Sequence, residues 1–378
     1  MAELLDLEEL AERLRQTDRH LISLLARRMR LASQVGEFKR SRGEPIYRAE
    51  VEEKRLKDAE NWAKEMGLNP HFARAILYFT IDESCKVQMI QFQQEELRAA
   101  ELEDVEAEYR FLKQNLLDLT AKIASTYDQY GQNSQATRTY LDFETEILES
   151  EIGTLNDLTL AVDIGCATGR RTWELGDKFE RVIGYDISPD MIEYAATKNR
   201  GAASDRINFR VVDIEAGIPQ ADNAVSLVVM NFGTASDLRD IEQVLVELKR
   251  VLRPGGKAFL SFYNTDALLY RIGFVPWSVG LAAEINWVRP CLDVHYDGEI
   301  FQVYAKPYKI EDIGGLIPDG VTVQKTWTYP TILSILPDVF ADRVVRDIAE
   351  IDRELALDQS SNLGAYLMVV LEKNTALI

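Results

Sequence analysis

Leu160-Ala161-Val162-Asp163-Ile164-Gly165-Cys166-Ala167-Thr168-Gly169 decides how the larger part of the chain is read. Leu160, Ala161, Val162 and Ile164 form the short apolar run of a strand covered on both faces. Gly165 and Gly169 mark a turn, and Arg171 to Leu175 opens a helix. A strand–glycine turn–helix unit lets a ligand approach bare backbone beside a helix N-terminus. Twenty-one residues beyond Gly165 stands Asp186, which closes a second apolar run, Val182-Ile183-Gly184-Tyr185. An acid at about 20 residues' remove is where a ribose is gripped.

The spacing separates two cofactor classes. Dinucleotide sites carry G-x-G-x-x-G, whereas this chain reads Asp163-x-Gly165-x-x-x-Gly169. The pattern resembles motif I of the class I S-adenosylmethionine (SAM) methyltransferases, with Ala167 where a third glycine often stands. Val211-Val212-Asp213-Ile214 resembles the strand end whose acid meets the adenine amino group. Leu227 to Asn231 resembles strand four, and Leu252-Arg253-Pro254-Gly255-Gly256 the turn before strand five. The resemblance implies SAM as cofactor and S-adenosylhomocysteine as product. It places Asp163, Gly165, Ala167, Gly169, Asp186, Asp213 and Asn231 around them. Tyr127 resembles the N-terminal aromatic that closes over SAM in many small-molecule methyltransferases; a tyrosine packed in a helix leaves the same signature.

Outward from this motif, strands and helices alternate, which predicts an α/β domain with a parallel sheet and helices on both faces. Strands are expected near 160–164, 181–185, 207–212, 224–230, 256–263, 321–327 and 365–371, the last antiparallel by resemblance. Ligands of such sheets bind beyond the carboxyl ends of the strands, so Gly165, Asp186, Asp213, Asn231 and Tyr263 fall along one edge. Residues 264–306 form an insertion with a hairpin turning at Asp297-Gly298. There it can roof an acceptor pocket with Tyr263, Arg289, His295, Tyr304 and Lys306, whose cations suit a carboxylated acceptor. A surface elaboration with its own small core is the alternative. The three histidines, His20, His71 and His295, form no triad and no metal-ligand pattern.

Upstream the pattern is helical. Leu7, Leu10, Leu14, Leu21, Leu24, Leu25, Leu31 and Val35 recur at helical spacing over residues 4–42. A second helix is expected over 49–66 with Gly67 as its C-cap, and Asn69-Pro70 reads as N-cap and first residue of a third. So long a first helix cannot bury its apolar face in a three-helix monomer, which asks for a partner chain. This region, about residues 4–92, resembles the all-helical AroQ class of chorismate mutases, an intertwined dimer. By that resemblance Arg28 binds a carboxylate, Lys39 the ether oxygen, Glu52 the substrate hydroxyl, and Ser84 and Gln88 supply further polar contacts. The family's first-helix arginine falls on Ala11, and its Asp and Arg before the glutamate fall on Arg48 and Val51. Arg15, on the face of Ala11, and Arg48 are cations that could compensate.

The expected division is therefore residues 1–92 (chorismate-mutase-like, all-α), 93–122 (connecting helix) and 123–378 (methyltransferase). The chain has 378 residues and a formal net charge of −19, which disfavours a polyanionic nucleic-acid partner. Three scattered cysteines read as free thiols of a reducing, cytoplasmic setting. The acidic N-terminus lacks a signal-peptide pattern, and no apolar stretch is long enough for a membrane span. Three readings stay open: a bifunctional mutase–methyltransferase on a small molecule, a methyltransferase whose helical domain only dimerises or senses, and a SAM-dependent enzyme that uses prephenate without methyl transfer.

Overall fold

The structure, a computed structural model, describes residues 7–42, 49–99, 105–129, 135–198, 205–271, 282–286, 289–297, 299–336, 342–358 and 361–375. It divides into two compact units, one drawn from the first 103 residues and the other from residue 104 onward, except that 297–299 group with the first.

Among the described residues the first unit holds three helices: α1 (Leu7–Ser41), α2 (Ala49–Glu65) and α3 (Pro70–Ala99). Gly67 closes α2 at φ 70°. Asn69 opens α3, its Oδ1 accepting from the backbone N–H groups of His71 and Phe72 at 2.9 and 3.4 Å. On α2 the buried residues are Glu52, Leu56, Ala59 and Ala63, one helical stripe. Among the described side chains of α3 they are Thr80, Ile81, Ser84, Cys85 and Gln88, a face laced with polar groups, while Ile76 is exposed. Helix α1 buries only small residues, Ala32 and Gly36, among its described positions. Leu14, Leu24 and Leu31 of its apolar stripe are 65%, 61% and 53% exposed in the single chain.

The second unit begins with α4 (Val105–Ile123) and α5 (Gln135–Ile152). The sheet follows: β1 (Leu160–Ile164), α6 (Arg170–Gly176), β2 (Arg181–Asp186), α7 (Pro189–Thr197), β3 (Ile207–Val211), β4 (Val225–Met230), α8 (Ile241–Val251) and β5 (Leu252–Tyr263). The insertion holds α9 (Leu268–Arg271), β6 (Ala282–Asn286), β7 (Cys291–Tyr296) and β8 (Glu299–Tyr304). The chain ends with α10 (Ile310–Leu316), β9 (Val321–Tyr329), α11 (Asp342–Leu357) and β10 (Tyr366–Lys373). All seven expected strands are present, in the order β3-β2-β1-β4-β5-β10-β9, and β10 runs antiparallel to both neighbours. β5 starts earlier than expected. Residues 253–256 bulge out where the pairing jumps from Val225–Leu252 to Leu227–Lys257, so the Pro-Gly-Gly turn is absorbed as an irregularity of the strand.

β1 and β4 are buried throughout, as apolar strands between two helical layers must be. The insertion's hairpin forms as expected within a three-stranded sheet, β6-β7-β8, with Gly298 itself outside the described residues. Ile285, Leu292, Val294, Phe301 and Val303 of that sheet pack with Leu119 and Ile123 of α4, and with Tyr127, Ala167 and Tyr263. This satellite core covers the glycine turn.

Candidate active sites at the sheet edge and in the helical unit

At the carboxyl end of β1 the chain turns through Gly165 (φ 69°) and Ala167 (φ 46°) to Gly169 (φ 81°) before α6 starts. Two neighbours forbid a side chain here. A Cβ on Gly165 would lie 2.6 Å from Thr234, and one on Gly169 2.7 Å from the ring of Phe209. The turn is tied down by Asp186, whose Oδ2 accepts from Ala167 N–H at 2.8 Å while its Oδ1 accepts from Ser188 N–H at 2.9 Å. Asp163, on β1, accepts from the Thr172 hydroxyl at 2.6 Å. Burial pushes its carboxyl up to about 7, against the Thr172 hydrogen bond and the Arg171 charge.

The segment around Tyr127 is latched to the same turn. Lys198 Nζ donates to Asp128 at 2.5 Å and to Thr168 O at 2.8 Å, and the Thr168 hydroxyl donates to Asp128 at 2.5 Å. Burial raises the Tyr127 phenol to about 12, with the Asp186 charge adding to it.

Across the switch point between β1 and β4, Asn231 is buried, and neither its Oδ1 nor its Nδ2 has a hydrogen-bond partner among the described residues. The turn after it, Phe232 (φ 53°) and Gly233 (φ 85°), is held from below. Phe232 N–H donates to Glu144 at 3.1 Å and Gly233 N–H to the Ser261 hydroxyl at 3.0 Å. The turn delivers Asp237, a residue the sequence pattern did not single out. Its Oδ1 is buried without a partner among the described residues, Tyr263 hydrogen-bonds the carboxyl, and burial raises it well above the carboxylate range.

Asp213, at the end of β3, lies on the same edge but is engaged by Lys113 of α4 at 2.6 Å and caps the short turn that follows. Nothing in the sequence foretold Lys113: it belongs to a charged helix far upstream.

Three of the expected acceptor residues have contacts of their own among the described residues. Tyr304 stacks edge-on against Tyr109 of α4 at 5.3 Å. Arg289 lies 3.7 Å from Glu108 of α4, and Lys306 is exposed, its Nζ 5.1 Å over the Tyr308 ring. Phe301 and Val303 take the face of β8 that joins the cluster against which Tyr263 packs, and by strand alternation Tyr304 lies on the other. His295 lies in β7, and its side chain falls outside the described residues.

In the helical unit, Arg28 of α1 donates to Thr80 O at 2.5 Å and to the Ser84 hydroxyl of α3. Gln88 Nε2 donates to Ser84 O at 2.9 Å, and its Oε1 is buried without a partner among the described residues. Glu52 and Arg55 of α2 complete the cluster, since both charges act on Arg28. Burial, followed by Arg55, lowers the Arg28 pKa, and Glu52 opposes them. Lys39 follows Arg28 by three helical turns on the same face, about 16 Å along the axis. Arg15 pairs with Glu12 at 2.9 Å on the surface, and Arg48 lies outside the described residues.

Residues 10–89 match the family model "Chorismate mutase type II", and residues 161–256 match the family model "Methyltransferase domain". This one chain carries both domains. The methyltransferase domain's sheet and glycine turn are those described above, and the chorismate mutase domain is the three-helix unit. Among curated relatives, the chain is 37% identical over 109 residues to a malonyl-[acyl-carrier protein] O-methyltransferase of Hahella chejuensis, covering 28% of this chain and 37% of that one. It is 37% identical over 103 residues to a demethylmenaquinone methyltransferase of Shouchella clausii, covering 26% and 43%. A third relative, malonyl-[acyl-carrier protein] O-methyltransferase 1 of Coxiella burnetii, is 31% identical over 149 residues, covering 38% and 46%. The matches thus span less than half the length of each relative. Among the described residues no group of His, Cys, Asp or Glu could hold a metal ion, and no helix is long and apolar enough to cross a membrane.

Asp163 gives the site a pH signature. Its folded pKa, about 7, lies above the unfolded carboxyl value of about 3.9. Its stabilising contribution is therefore complete below pH ~4 and disappears as the pH rises through ~7. Asp163→Asn keeps the Thr172 hydrogen bond and removes the titration. Between pH 5 and 7.5, chemical denaturation should show wild type losing roughly 2–3 kcal/mol relative to the variant. Parallel curves for the two proteins would show that Asp163 is ionised in the fold throughout.

Proposed function

We propose that the methyltransferase domain moves a methyl group from SAM to a small-molecule acceptor, and that the chorismate mutase domain binds chorismate or a close dicarboxylate. The observation that carries the first half is Asn231, buried at the switch point with both amide atoms unpartnered among the described residues. An unpaired buried polar group costs roughly 1–3 kcal/mol, and a ligand with its own donors and acceptors offsets that cost.

Charge supports the same reading. Asp163, Asp186 and Asp237 are all raised by burial, and the Asp186 charge raises the other two further. Such a cluster favours a cation, and SAM carries a sulfonium and an ammonium. Bound there, SAM supplies a methyl group on a leaving group that needs no further activation. The Gly165–Gly169 turn and Asp186 would hold it, with Tyr127 and the satellite core excluding water. Asp237, whose carboxyl burial raises, would face the acceptor beside Tyr263. In-line alignment is then the main task of the protein. A carboxylated acceptor, such as the malonyl group in two of the relatives' names, would need a cation, and Arg170, paired with Glu174 at 3.1 Å, is one whose charge reaches Tyr127.

Titration calorimetry tests the cofactor assignment. Asp186→Ala should weaken SAM binding more than tenfold, because a charged acceptor to the ribose and the clamp on the turn are both lost. Unchanged affinity would remove Asp186 from the site.

The dicarboxylate reading is supported by Arg28, Glu52, Ser84 and Gln88 meeting in one place, with the Gln88 Oε1 buried and unpartnered. A pericyclic rearrangement needs no acid or base, only a held conformer and charge stabilisation at the ether oxygen. With Ala11 and Val51 replacing cations, turnover should be slow. Chorismate disappearance should be detectable and should stop in Lys39→Ala; a variant as fast as wild type would refute the role of Lys39.

The exposed apolar stripe of α1 supports a homodimer built through this unit. Light scattering at micromolar concentration should give twice the chain mass, and deletion of residues 1–92 should return it to one chain. A full-length monomer would sink the dimer.

A further inference from the structure

The helical unit departs from the AroQ pattern by lacking an arginine at Val51, immediately before Glu52. The structure brings another guanidinium to the same carboxylate. Arg55 Nη1 donates to Glu52 Oε2 at 2.8 Å, across one turn of α2. Arg55 is four residues beyond Val51, so the two share a helical face. Its side chain is 41% exposed and that of Glu52 9%, so Arg55 reaches inward from the rim.

Arg55 is also, after burial, the strongest influence lowering the pKa of Arg28. Two guanidiniums from different helices thus act on one another, and the Glu52 carboxylate that pairs with Arg55 also acts on Arg28. The three charges sum to +1, beside the Ser84 hydroxyl and the unpartnered Gln88 Oε1. Like charges at a desolvated site are costly unless an anion joins them. A guanidinium takes a carboxylate through two parallel hydrogen bonds, and a pair of them suits a ligand with two carboxylates. Arg15, the cation on the face of Ala11, pairs on the surface with Glu12.

We propose that Arg55 supplies the carboxylate-binding cation that Val51 does not, one helical turn further along α2, and that with Arg28 it selects dicarboxylates. The assignment rests on the chorismate-binding reading of this pocket and adds a residue to it. Arg74 is the natural control. It pairs with Glu53 and Glu60, not with Glu52.

Calorimetry with chorismate on the full-length protein decides. Arg55→Ala should weaken binding about ten- to hundredfold, the loss of one charge-assisted contact. Arg55→Lys should recover only part of it, because an ammonium lacks the planar fork. Adding Val51→Arg to Arg55→Ala should restore affinity, and Arg74→Ala should leave it unchanged. Binding in Arg55→Ala equal to wild type would overturn the role of Arg55 and leave the chorismate reading standing. Loss without recovery in the double variant would overturn the one-turn relocation. Wild type that does not bind chorismate would overturn both.

Discussion

One carboxylate organises the sheet edge. Asp186 joins the end of β2 to the turn after β1 by accepting from Ala167, nineteen residues earlier, and from Ser188. Without that acceptor the Gly165–Gly169 turn would carry an unpaired N–H at a site closed over by the satellite core. The glycines give the turn its conformational freedom, and Asp186 removes that freedom again. The backbone is thereby fixed before any ligand arrives, as preorganised binding requires.

The two units manage buried charge with opposite signs. In the α/β unit, acids gather at the carboxyl ends of the strands and are pushed toward neutrality. In the helical unit, two guanidiniums crowd one carboxylate. Each arrangement is poor as a stabilising device, because desolvation outweighs the pairing it allows. Each becomes favourable when a counter-charged ligand completes it. The supporting shells reflect the same constraint: Glu144 and Ser261 hold the turn below Asn231, while Thr80 and Ser84 hold Arg28.

Helix α4 is a connecting helix with a buried face. Its acidic residues leave room for a solvated side, and Leu112, Leu119 and Ile123 are buried. Its Lys113 occupies Asp213, and its Tyr109 stacks on Tyr304. Of the insertion's cations, Arg289 lies beside Glu108 of this helix, while Lys306 lies over the Tyr308 ring.

The sequence by itself determined the strands, their order of use and the glycine turn. Those depend on local properties: apolar runs, residues with no Cβ, and acids at fixed remove. It also determined the three helices, through periodicity and the Gly67 and Asn69 caps. Only the tertiary structure decided which polar groups meet. Asp237 reaches Tyr263 because the Phe232–Gly233 turn bends under it. Lys113 reaches Asp213 across a hundred residues of chain. The Arg55 charge acts on Arg28 because α1 and α2 both pack against α3. Such meetings come from packing, and a charged side chain carries no local signal of the partner it will find on another element.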